Sequence, residues 1–257
     1  MGSESVIEHL QGIFGFRREV KDIHPFLDTV FPVALAERDQ LCVYDTVQED
    51  DQYHLVKRAP APGHLPRQVR AAFPLACYND RMACVVTEDV FASDAGYVTI
   101  FHEFVHCQQA ATCERKLKGG LGVARKAMAE GNVSWELDHA FPYGEDRFVT
   151  DYDQFLKAAE AGDLDEVLRI RKHLSAIMSE ADYEYMVWQE WKEGFARFLE
   201  NKMRERKGLE RIGAENGPPY SRVLFYHGGA AFIEVLSNND AALLGDVEEL
   251  FNRMFDI

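Results

Sequence analysis

The run His102-Glu103-Phe104-Val105-His106 places two histidines four residues apart, with a glutamate beside the first. Four residues along an α-helix amount to about 40° around the axis and about 6 Å along it, so both imidazoles would project from one face toward a single point. Two neutral imidazoles so placed can grip one zinc ion. Glu103 would then take a proton from a metal-activated water instead of binding the metal itself. The chemistry implied is hydrolysis by that water. Without a metal, the same residues would form a buried, hydrogen-bonded histidine pair.

Catalytic zinc usually takes three protein ligands and keeps one position for water, so two histidines leave the set one short. The longer pattern HExxHxxGxxH is absent, because Gln109 stands where its glycine would be. HEFVHCQQ followed downstream by WKEGFARFLE resembles the gluzincin class of zincin metallopeptidases. In that class a motif E-G-x-A on a second helix supplies the third ligand, which the resemblance carries to Glu193, followed by Gly194, Phe195 and Ala196. A glycine inside a helix costs roughly 0.5–1 kcal/mol against alanine and often marks the close approach of another backbone. Gly194 beside Ala196 is expected to let this helix approach the one bearing the histidines. Two other readings stay open. Glu130 in AEGNVSWELD also precedes a glycine and lies nearer to His106, although Asn132 and Val133 leave no small residue in the alanine position. Alternatively, Glu184, Glu190, Glu193 and Glu200 together make a solvated acidic helix face.

The resemblance implies a zinc-dependent metallopeptidase with one zinc per chain, held by His102, His106 and Glu193. It would act on peptide or protein substrates, with Glu103 as general base and then as acid. Peptide hydrolysis also needs a donor for the oxyanion. In gluzincins this is generally a Tyr or His beyond the third ligand, and YHGGAAFIEVL (226–236) resembles the helix that follows it in several bacterial metallopeptidases. Tyr226 is the first candidate, with His227 and Tyr220 as alternatives. Gln109 shares a face with His106 and is expected to orient a ligand or a neighbouring loop. MACVVT (82–87) stands where zincins keep an edge strand along the cleft; an edge could pair with an extended peptide, an interior strand could not. Two further readings are a zincin-like metal-binding or regulatory module without turnover, and a zinc hydrolase acting on a non-peptide bond.

Several elements must position these residues. A helix is expected from Ser93 or Asp94 to Lys118, ending at Gly119-Gly120 with Arg115, Lys116 and Lys118 in its last turn. Further helical patterns cover 121–140, 152–161, 164–180 and 181–207, the last closed by Gly208. FPYGEDRF and GAENGPPY read as loops. Earlier in the chain, apolar spacing over 20–36 suggests one or two short helices interrupted by Pro25 and Pro32. Runs 41–47 and 53–59 read as a hairpin around the connector QEDDQ, followed by the Pro-rich APAPGHLP. A short helix is expected near 67–73, then the strand 82–87 and the turn-like TEDVFASD. Strands first and helices afterwards, without βαβ alternation, argue for α+β. The resemblance makes that zincin-like: a small N-terminal sheet and a mostly helical C-terminal lobe. No linker divides the chain, so one domain is expected, with lobes of about 1–118 and 119–257.

With 257 residues, 47% of them apolar, the chain can bury a sizeable core. Its formal charge of −15 disfavours nucleic acid and anionic membrane surfaces as partners. No stretch reaches the roughly 18 apolar residues of a membrane span. The N-terminal MGSESVIEHLQGIFGFRREV has neither a signal h-region nor Ser or Thr at its sixth position for myristoylation, so a cytoplasmic location is expected. Five cysteines without CxxC suggest thiols in a reducing compartment. Cys107 and Cys113 fall off the ligand face, which leaves the metal chemistry to nitrogen and oxygen.

Overall fold

A computed structural model of the chain describes residues 3–37, 39–46, 51–61, 65, 68–214, 217 and 219–256. They fall into two compact units, Met1–Thr112 with Leu199–Arg211, and Cys113–Phe198 with Ile212–Ile257. The architecture is α+β: the strands come first, and the part that follows is mostly helical.

In the first unit, β1 (Val33–Glu37), β2 (Gln40–Asp45), β3 (His54–Pro60), β4 (Arg70–Leu75) and β5 (Arg81–Val86) form one sheet in the order β3-β2-β1-β5-β4. Neighbours are antiparallel except β1 and β5, which run parallel. The two-residue period of a strand sorts the side chains between faces. Ala34, Leu41, Val43, Ala83 and Val85 meet on one face in a core completed by Val69 and Leu75. Leu35, Cys42, Tyr44, Cys84 and Val86 alternate with them and are buried on the other. That second face carries α2 (Asp94–Thr112), the histidine helix: burial first, then Glu103 and Cys107 of α2, push the Cys84 thiol well up. α1 (Ser3–Val20) packs on α2, with Phe16 against the rings of Tyr97 and Phe101 at 6.0 and 5.2 Å. Gly12 is required there, since a Cβ would fall 2.2 Å from the Tyr97 hydroxyl.

The expected hairpin is present as β2 and β3, although 47–50, including part of QEDDQ, lie outside the described residues. Parts of APAPGHLP and GAENGPPY lie outside them too. Elsewhere the structure corrects the expectations. Over 20–36 there is no ordinary α-helix: Val20 ends α1, Pro25–Asp28 make one 3₁₀ turn, and beyond Pro32 the chain pairs as β1. Apolar spacing in so short a run fits either element, and the two prolines exclude a continuous helix. β4 replaces the helix expected near 67–73, of which Arg67 is not described; pairing with β5 overrules the helix preference of Arg-Ala-Ala. β5, which takes in MACVV of that run, is an interior strand between β1 and β4; the edges are β3 and β4. The histidine helix stops at Thr112, where Cys113 turns out of helical geometry (φ −132°, ψ −17°), and α3 (Glu114–Gly120) starts anew.

In the second unit, 121–140 divides into α4 (Gly122–Ala129) and α5 (Trp135–Asp138), separated by a turn. α6 (Asp146–Glu160), α7 (Leu164–Ile177), α9 (Val223–Asn239) and α10 (Val247–Phe255) follow in order, with α8 (Glu180–Arg206) between α7 and α9. α8 serves both units: it belongs to the second through Phe198 and to the first from Leu199. Trp188, Trp191 and Phe195 of α8 are fully buried, as are Phe155, Phe225 and Phe232. A buried Arg171 donates to Glu190 at 2.5 Å, and the Tyr152 hydroxyl donates to the same carboxylate at 2.6 Å, tying α7 and α6 to α8. A Cβ on Gly194 would lie 2.6 Å from Gly229 Cα, so α8 and α9 touch backbone to backbone. The glycine therefore serves the approach of α9, not of α2 as the sequence suggested.

Lys192 on α8 lies 2.7 Å from Glu136 of α5 and 3.3 Å from Glu114 of α3, while Lys118 lies 2.6 Å from Glu136. Burial alone would raise the Glu136 carboxyl, but Lys192 and Lys118 outweigh it and bring its pKa from 4.5 to about 2. A carboxyl with a lower pKa in the folded state stabilises fully above the unfolded value, and that stability is lost as pH falls through the folded one. Glu136→Gln should cost roughly 3 kcal/mol at neutral pH and flatten the loss of stability between about pH 4.5 and about pH 2. Urea unfolding across that interval measures both; an acid limb unchanged by the substitution counts against the assignment.

Candidate metal centre

α2 is apolar on nearly every side, with Val98, Ile100, Phe101, Phe104 and Val105 fully buried. This holds His102, Glu103 and His106 inside the protein with only 7–8% of each exposed. His102 Nδ1 lies 3.0 Å from Glu200 Oε2, and His106 Nδ1 lies 3.0 Å from Gln109 Oε1. A carboxylate and an amide oxygen can only accept, so each Nδ1 carries its proton and donates it. Both Nε2 atoms are then left with lone pairs, and they face each other at 3.2 Å. Lone pairs at that distance repel, and only a cation or a second proton on one ring can bridge them. Two nitrogens on a tetrahedral zinc, each about 2.0–2.1 Å from it, lie about 3.3 Å apart. The pair thus has the spacing of a metal chelate and the backing acceptors that metal-binding histidines ordinarily have.

Ligand atoms of His102, His106 and Glu193 all lie within 4.8 Å of one another, and this group could hold a metal ion. Glu193 and Glu200 stand seven residues apart on α8, two turns of about 5.4 Å each, and so share a helix face. One helix therefore contributes a carboxylate to the group and another carboxylate to the back of His102. Gln109 does what its spacing suggested. Glu200 is the residue that sequence reasoning overlooked, and its seven-residue spacing from Glu193 was the available signal.

The solvated acidic face is not what α8 presents. Glu190 is fully buried against Arg171, and Glu184 accepts the backbone N–H groups of Gly122 and Val123 at 2.9 and 2.7 Å. Glu130 lies apart from the metal group, exposed at the end of α4. Gly131 after it has φ +73°, which accounts for that Glu-Gly pair as an ordinary helix terminus. Tyr226 lies in the first turn of α9, half-buried, with Arg197 and Arg222 over its ring. His227 Nε2 sits 3.2 Å from Glu160, and Tyr220 donates to Asp153 at 2.7 Å. Cys107 and Cys113 are not in the group, and all five cysteines are thiols. Among the described residues no helix is long and apolar enough to cross a membrane.

No family model, no curated protein and no solved structure matches this chain. What the group can do rests on its own geometry and chemistry.

If Glu200 fixes the tautomer of His102, removing its carboxylate should weaken metal binding without unfolding the protein. Glu200→Ala should lower zinc affinity by about 10- to 100-fold, and Glu200→Gln, which keeps an acceptor, by less. Competition with a chromophoric chelator reads this directly, and equal affinity in all three proteins would exclude the role.

Proposed function

We propose that the chain is a zinc-dependent metallopeptidase of gluzincin type, hydrolysing peptide bonds. The observation that carries this reading is the pair of Nε2 atoms 3.2 Å apart, with the Glu193 carboxylate in the same group. Support for the reaction class comes from Glu103 following His102 directly, and from the resemblance of the two helical motifs. His102, His106 and Glu193 are the residues that would hold one zinc ion. Bound there, it would supply Lewis acidity, polarising a carbonyl and making water acidic enough to attack near neutral pH.

The chain's own groups do the rest. Glu103, buried beside His102, takes the proton of the attacking water and passes it to the departing amine. Glu200 and Gln109 hold the two rings through Nδ1, with Nε2 aimed at the site. Tyr226 is the proposed donor to the carbonyl oxygen as negative charge develops on it. A cytoplasmic location belongs to the same reading, supported by cysteines that remain thiols.

Purified protein should retain about one zinc per chain and cleave a quenched-fluorescent peptide library. Glu103→Gln should reduce cleavage by about 100-fold or more while leaving zinc bound. Glu193→Ala should lose zinc where Glu130→Ala keeps it. Protein that takes up no zinc, or a Glu103→Gln variant with full activity, would sink the reading.

A further inference from the structure

Arg197 follows Glu193 by four residues, one turn further along the same face of α8. Arg222 sits at the N-cap of α9. Their guanidinium carbons lie 5.9 and 5.8 Å from the centre of the Tyr226 ring. Arg222 is half-buried, and among the described residues it makes no ion pair with a carboxylate. Tyr143 and Tyr185, with hydroxyls 3.5 Å apart, complete the surroundings. Burial raises both phenols, and the charge of Arg222 opposes the rise. Tyr185 also feels Glu193, so the arginines, the tyrosines and the carboxylate of the metal group share one neighbourhood of the second unit.

Guanidinium stays charged at every accessible pH. Laid over an aromatic ring, it still offers its N–H edge, and that edge matches a planar carboxylate through two parallel hydrogen bonds. The positive end of the α9 dipole adds to the field at Arg222. In a chain of net charge −15, two arginines gather on one tyrosine.

We propose that Arg222, flanked by Arg197 and Tyr226, holds a carboxylate of the substrate beside Glu193, so that the site selects anionic peptides. The carboxylate is either a free C-terminus or an Asp or Glu side chain. Selectivity in turnover rests on the hydrolase reading above; selective binding does not.

Four peptides of one otherwise neutral sequence separate the sources, combining a free or amidated C-terminus with Glu or Gln at one position. Affinity is read by calorimetry on protein carrying Glu103→Gln to silence turnover, and kcat/KM on the active protein loaded with zinc. Carboxylate-bearing peptides should bind about 10- to 100-fold more tightly than the neutral one. Arg222→Gln should abolish that preference without weakening the neutral peptide, and Arg222→Lys should keep part of it. A preference confined to the free C-terminus identifies the chain end, and one confined to Glu identifies the side chain. No preference, or one that survives Arg222→Gln, overturns the subsite. Arg222-dependent binding without cleavage of any peptide would leave the subsite standing and remove the hydrolase reading. Equal cleavage of all four, with or without Arg222, would do the reverse.

Discussion

Two imidazole nitrogens with lone pairs 3.2 Å apart are held against their own repulsion, which a low-dielectric interior strengthens. Either ring could relieve it by turning or by taking a second proton. The acceptors behind them oppose such rotations, because Glu200 and Gln109 each bind an Nδ1–H and would lose that hydrogen bond if the ring turned. The packing of α2 opposes them as well. Phe101 and Phe104 are fully buried and stack edge-on at 5.3 Å, Phe101 also meets Phe16 of α1, and the sheet lies along the Cys84 side of the helix. A group held in this way could hold a metal ion.

The carboxylates come from α8, so their register depends on what stops that helix from sliding or rolling. In the first unit, Arg206 forms a two-pronged pair with Asp22 at 3.0 Å on each prong and donates to the Glu19 carbonyl at 2.8 Å. Lys207 reaches Glu19 and Asp94. In the second unit, Trp191 donates to the Val247 carbonyl at 2.8 Å, Arg171 grips Glu190, and Gly194 lets the α9 backbone close in. Each residue turns a helix by about 100°, so the anchors at 190 and 194 hold one face, Trp191 holds another about 100° round from Glu190, and together they fix its rotation. With the rotation fixed, Glu193 and Glu200 can be aimed by sequence spacing alone.

How much of this was legible in the sequence varied with the range of the interaction. The α+β order, the hairpin, the extent of α8 and the shared face of His102 and His106 follow from local periodicity, which needs no knowledge of partners. β1 and β4 were read as helix because short apolar runs fit both periods, and for β1 the parallel partner β5 lies far along the chain. α1 was missed although Val6, Leu10, Ile13 and Phe14, all buried, stand at helical spacing. The break at Cys113 carries no glycine or proline to announce it. At the site, Gln109 was found because it lies three residues from His106, whereas Glu200 was hidden by long range: its partner stands far away in the chain, and among other glutamates it looked like solvated charge. The two Glu-Gly pairs show the same limit. At Glu130 the glycine ends a helix with positive φ, and at Glu193 it makes room for another helix.

Burying a carboxylate is costly unless a local group compensates it, so each glutamate drawn into α8's surroundings needs its own partner. Glu184 meets two backbone N–H groups, Glu190 meets Arg171 and Tyr152, and Glu200 meets the imidazole of His102. Those three are buried to within 6% of their surface, whereas Glu193 is half-buried. Among the α8 glutamates the difference fits the proposed division between support and metal binding. A carboxylate sealed among fixed donors can only hold structure in place. One at the margin of the core, beside two imidazole lone pairs and one turn from Arg197, can meet an ion or a substrate arriving from outside. The net charge of −15 says nothing about which glutamate that is; the depth at which α8 sets each one decides it.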